Sequence, residues 1–240
     1  MTLPLESKKL KRTGFISSFL GGGILAALIP VLNMAVRFES FINIPKPPLK
    51  ILLDNNWQMM AMFNVLLVVV GACIMYHTEY VDNAMQKMRT LPMKESTMFL
   101  GKFILIIAMS AVIYVIEAAA ILFCTAHWFS IGSDFFVELL KNFGYMLLLI
   151  IPSIAFSLMV ASACKNMWVP LGIGVVCIFA ATMIPTANIA LSLFPFALPF
   201  QTLSETMESN TLWYCIAACV ETFIAWIAEL VYLKGRRSFE

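Results

Sequence analysis

Charge is what this chain has least of. Asp, Glu, Lys and Arg make up 12% of its 240 residues and apolar residues 61%, against roughly a quarter and a half in ordinary soluble domains. No connection between its apolar runs could hold a soluble catalytic or nucleotide-binding domain, which takes upward of about 50 residues. The phosphate-cradling pattern GxxxxGK[ST] is missing: Gly101-Lys102 has no upstream glycine at the right spacing and follows no strand. Histidine is nearly missing too. His77 and His127 fall at opposite ends of apolar runs and no HExxH occurs, which excludes a zinc peptidase or a Ser/His hydrolase at one membrane depth. The six cysteines show no CxxC spacing and sit in or beside apolar runs, as small apolar residues do. Short alternating segments of the barrel type are absent as well.

What remains is a series of long apolar runs. A stretch of about 20 such residues matches a hydrocarbon core of about 30 Å at 1.5 Å per residue. Backbone groups in lipid must be satisfied within their own segment, so each run spans as a helix. The expected fold is an all-α membrane protein with six transmembrane helices, near 14–36, 56–77, 102–126, 140–163, 167–185 and 211–233, in a single domain over residues 1–240. Lys8, Lys9, Lys11 and Arg12 precede a first run longer than the roughly 7–15 residues of a signal-peptide core, so it reads as a retained helix. With the N-terminus inside, Lys87, Arg89, Lys94, Lys102, Lys165, Lys234, Arg236 and Arg237 join those four on the cytoplasmic side. Only Arg37, Lys46, Lys50 and Lys141 are left outside. The positive-inside rule therefore places both termini in the cytoplasm.

Three segments carry functional candidates. The cytoplasmic stretch 79–98, with its continuation to Lys102, contains a short amphipathic helix. Val81, Ala84, Met85 and Met88 recur at helical spacing, opposite Asp82, Gln86, Lys87 and Arg89. Pro92 forces a turn near Thr90–Pro92, and Ser96 is placed to cap the restart. Such a helix reads either as an ordinary interfacial loop or as a docking site for a cytosolic partner. The outer stretch 187–210, with Pro195, Phe196, Pro199 and Phe200, is too apolar for a solvated loop and too broken by proline for a span. It reads as a re-entrant or interfacial cap, either packing over the bundle or shaping an exit. Glu117 and Glu221 fall within the third and sixth spans, where a charge is expensive. Each must face the interior, carry a proton or find a donor. Helix–helix hydrogen bonding, contact with a cationic substrate and proton coupling all stay open for them. Glu229 lies near Lys234, which explains it by local pairing. Gly21-Gly22-Gly23 makes a smooth strip for close helix approach.

The cytoplasmic stretch resembles the corresponding loop of type-2 ABC (ABC-2) export permeases. There an acidic residue closes the second span, a coupling helix ends in Leu-Pro, and a Ser and a Gly-Lys open the third. Here these are Glu79, Leu91-Pro92, Ser96 and Gly101-Lys102. The opening Glu6-Ser7-Lys8-Lys9-Leu10-Lys11-Arg12-Thr13 is similar to the start of permeases from lantibiotic-immunity and bacitracin-type exporters. The resemblance implies a type-2 exporter transmembrane domain in a bacterial plasma membrane. It pairs with a second permease, as heterodimer or homodimer, and docks a cytosolic ABC ATPase through Glu79, Asp82, Lys87, Met88, Arg89, Leu91 and Pro92. ATP and Mg²⁺ would bind that ATPase, this chain holding no cofactor or metal and no nucleic acid. The implied substrate is an amphipathic antimicrobial peptide. The outer acids Glu39, Asp54, Asp134, Glu138, Glu205 and Glu208 outnumber the four outer bases, which modestly favours a cationic one. The competing reading is an ion- or proton-coupled transporter or channel using Glu117 and Glu221. It predicts broken helices beside the acids and an internal repeat, and the sequence offers neither.

Overall fold

The computed structural model describes residues 9–10, 13–80, 95–183, 189–203 and 208–239. Six helices carry almost all of it: α1 (Phe15–Ile42), α2 (Pro48–Tyr80), α3 (Glu95–Trp128), α4 (Phe135–Ala163), α5 (Trp168–Met183) and α6 (Glu208–Phe239). Between α5 and α6 lie a short helical turn, Ile189–Ser192, and a 3₁₀ turn, Leu198–Phe200. No strand occurs among the described residues.

All the helices but α5 are long and apolar enough to cross a membrane. Most run past the expected spans, because an apolar count stops at the first charge while a helix continues until its backbone is broken. For α1 the break is Asn43, ahead of Pro45 and Pro47, and α2 restarts on Pro48, a residue suited to a first helical position. α1 also bends at Arg37, whose φ of −129° and ψ of 24° are not helical. The expected fifth span is α5, which has 16 residues. It is described as far as Met183, and residues 184–188 lie outside the described ones. Asn166 fixes its start by accepting the Trp168 N–H at 3.1 Å. Ser96 falls inside α3 rather than at a cap, and the expected turn at Thr90–Pro92 lies outside the described residues.

The bundle is built around α2, which packs against α1, α3, α4 and α5. Two-thirds of its apolar window is buried, against 22% for α6, which leans on α4 with a slight touch on α3. The core joins Phe15, Phe19, Trp57, Met60, Phe99, Ile106 and Met146. Close approach of helices is made possible by glycine. A Cβ at Gly22 would stand 2.4 Å from the Leu67 side chain, and one at Gly23 2.9 Å from Ile113. The strip therefore serves packing inside this chain, while Gly21 faces open space.

Candidate functional site

The connection from α2 to α3 defines one end of the bundle, and its base is a buried charge cluster. Glu79, one residue before the end of α2, and Lys102, the eighth residue of α3, are 2% and 1% exposed. Lys102 Nζ donates to Glu79 Oε1 at 2.6 Å and lies 4.9 Å from the centre of the Tyr76 ring. Lys9 reaches the same oxygen at 3.3 Å, while its neighbour Leu10 is buried in the core. Removing two charges from water is expensive, so a buried pair persists only with good geometry and further partners. Here a single carboxylate, an ammonium on an aromatic face and a second lysine supply them.

The cluster continues sideways. The Tyr80 hydroxyl donates to the Ser162 carbonyl at the end of α4, and Ser162 Oγ donates to Glu229 Oε2 of α6 at 2.9 Å. Glu229 is 1% exposed and is tied to α4 by this bond; the side chain of Lys234, its expected partner, lies outside the described residues. α2, α3, α4 and α6 are in this way joined beside the Glu79–Lys102 pair. Asp82, Lys87, Met88, Arg89, Leu91 and Pro92, the expected coupling residues beyond Glu79, lie outside the described residues.

At the opposite end, residues 193–200 enter the bundle between α2, α4, α5 and α6. Phe196 packs edge-on against Phe156 of α4 at 5.6 Å and shares an apolar cluster with Val65, Val69 and Ile178. Leu198 joins Tyr145, Leu149 and Tyr214. A proline-broken segment at this depth leaves carbonyls without helical partners, and each must find a donor. Trp57 Nε1 donates to the Pro199 carbonyl at 2.9 Å and Ser153 Oγ to the Pro195 carbonyl at 2.7 Å. Phe200 and Gln201 border a small pocket of about 130 Å³ with Asp54, Trp57, Gln58 and Thr202.

The two intramembrane acids belong to different interfaces. Glu117 of α3 is fully buried and accepts from Asn64 Nδ2 of α2 at 3.1 Å. Glu221 is half-buried on α6, in the stripe of Tyr214, Ala218, Ala225 and Glu229 that faces α4. A groove of about 380 Å³ opens between α3, α4 and α6, lined by Leu100, Phe103, Ile151, Ala218, Phe223 and Trp226. Its walls suit apolar groups.

Sequence reasoning singled out Glu79 and Lys102, which the structure brings together, but not Asn64, Tyr80, Ser153 or Ser162. Isolated polar residues in apolar runs give no period to detect. One signal was available for Asn64. Glu79 pairs with Lys102, and stepping back along both antiparallel helices from that pair places Asn64 opposite Glu117.

Residues 2–181 match the family described as ABC-2 family transporter protein. No curated protein and no solved structure matches the chain. With most of its length inside that match and its apolar helices gathered in one bundle, the chain belongs to the ABC-2 transporter family, as a multi-pass transmembrane component of a kind that typically works with an ATPase subunit.

Proposed function

We propose that this chain is the permease subunit of an ABC exporter that expels an amphipathic, lantibiotic-like antimicrobial peptide from a bacterial plasma membrane. Both termini face the cytoplasm, and α5 crosses the membrane with the other five helices. A separate cytosolic ATPase binds ATP and Mg²⁺, and a second permease, identical or different, completes the pore. The observation that carries this reading is the buried Glu79–Lys102 pair, which flanks residues 81–94, in a chain of the ABC-2 family.

The pair fastens the two ends of the loop to each other, so a push on the loop moves α2 and α3 together. From Tyr80 to Trp57 the helix is unbroken, a rod of about 35 Å. At its far end the Trp57 indole holds the Pro199 carbonyl. Closure of the ATPase on the loop is thereby delivered to the cap formed by Pro195, Phe196, Pro199 and Phe200. The peptide class rests on the resemblance of residues 6–13 to lantibiotic-immunity permeases and on the excess of outer acids.

The test is co-expression with the ATPase encoded beside this chain, followed by purification through a tag on the permease. The ATPase is expected to co-purify, and Met88→Asp with Arg89→Glu is expected to abolish that. An ATPase that stays behind, or that binds regardless of the substitutions, would overturn the reading.

A further inference from the structure

Glu117 has no exposed surface and makes no ion pair among the described residues. Its Oε2 accepts from Asn64 Nδ2, but its Oε1 is buried with no hydrogen-bond partner. Asn64 Oδ1 is in the same position. Two residues already joined by one hydrogen bond thus each keep one orphaned acceptor. A carboxylate has no proton to give, and neither does an amide oxygen. If Glu117 were ionised, the bundle would hold two unsatisfied oxygens and an unpaired charge in its apolar length, each of them unfavourable.

A single proton resolves all three. With a proton on Glu117 Oε1, that hydroxyl donates to Asn64 Oδ1 while Asn64 Nδ2 donates to Oε2. The two planar groups then form a closed cyclic pair with every donor and acceptor used. We infer that Glu117 is a proton-binding site, a neutral carboxylic acid paired reciprocally with the Asn64 amide, and not an ion- or substrate-binding carboxylate. The surroundings agree. Tyr114, one turn earlier on α3, directs its hydroxyl to the Met146 carbonyl of α4 at 3.5 Å. Ala61 and Val65, beside Asn64 on α2, and Ile113 and Ile121, one turn either side of Glu117 on α3, are apolar and buried.

The position gives the pair its purpose. Asn64 lies fifteen residues before Glu79 on α2, and Glu117 fifteen residues after Lys102 on α3. The α2–α3 hairpin is therefore fastened twice in one register, at levels about 22 Å apart. A charged staple holds it at the loop and a neutral one holds it within the apolar bundle.

Infrared difference spectra of the purified protein at neutral pH, wild type against Glu117→Gln, read the proton directly. The expected difference is loss of a carboxylic-acid C=O stretch with no loss of carboxylate bands. In Asn64→Leu the acid band is expected to persist and move to higher frequency, because the acid has lost its amide partner. Should Glu117→Gln not fold, this Asn64→Leu shift against wild type carries the test alone. Carboxylate bands lost with Glu117 would overturn the inference and place a water or cation between the two residues. An acid band unmoved by Asn64→Leu would overturn the reciprocal pairing.

Discussion

At one end of the bundle a carboxylate, Glu79, is held by two lysines, and at the other two backbone carbonyls, of Pro195 and Pro199, are held by a serine and an indole. Both arrangements give buried polar groups partners, although Glu79 Oε2 keeps none, and they answer different needs. The cap segment is broken by prolines, which lack an N–H and leave carbonyls stranded. A stranded carbonyl is neutral, so a neutral donor suffices. The loop end must fix two helix termini against each other where a charged connection leaves them. An ion pair gives a directional, short contact there, at the risk that loss of one partner strands the other. The two ends therefore differ in how they fail.

The largest effect is expected from separating the buried pair. Glu79→Gln removes the carboxylate that Lys102 and Lys9 share, and Lys102→Met leaves Glu79 with only its longer contact to Lys9; breaking a buried pair in this way costs about 3–5 kcal/mol. Thermal unfolding of the detergent-solubilised protein should show it as a sharply lowered midpoint. The double variant should recover most of that loss, because both buried charges are then gone. Single variants no worse than the double would mean that the pair is not a closed electrostatic unit.

A smaller effect belongs to the cap. Trp57→Phe and Ser153→Ala each remove one donor and leave a carbonyl unsatisfied, costing about 1–3 kcal/mol. Because the bonds are neutral, adding salt should leave both losses unchanged in the same unfolding measurement. A loss that shrinks with salt would break the contrast between the two ends.

The long spans were legible because each rests on a run of apolar residues; the expected coupling loop, read from charge and Leu91-Pro92, falls largely outside the described residues. Cross-chain bonds do not leave such traces. Trp57 reads as a belt aromatic at a helix end, yet its partner Pro199 lies 142 residues away. Glu229 sits five residues before a lysine in sequence, and its bond from Ser162 on another helix left no trace there. Glu117 could be flagged by its charge alone. Its partner could not, since an asparagine in a span becomes informative only once the register of its neighbour is known.

Lys9 supplies the finest test of the comparison, because it shares its acceptor oxygen with Lys102 but not its surroundings. Its side chain is 34% exposed and its contact with Glu79 is longer, at 3.3 Å. Solvent screens such a pair and the lysine stem loses entropy in forming it, so exposed or half-exposed bridges contribute only about 0–1 kcal/mol. Lys9→Ala is expected to lower stability by no more than that, and the loss should fade as salt is raised beyond about 0.15 M, where the screening length falls below about 8 Å. The Lys102→Met loss should hardly respond to the same salt, since no counterion reaches a side chain 1% exposed. Two lysines on one carboxylate oxygen would then separate by burial alone. If the two losses matched in size and in salt response, Lys9 would have to be as enclosed as Lys102, and the charged end would be a single desolvated cluster rather than a buried pair with a screened outer contact.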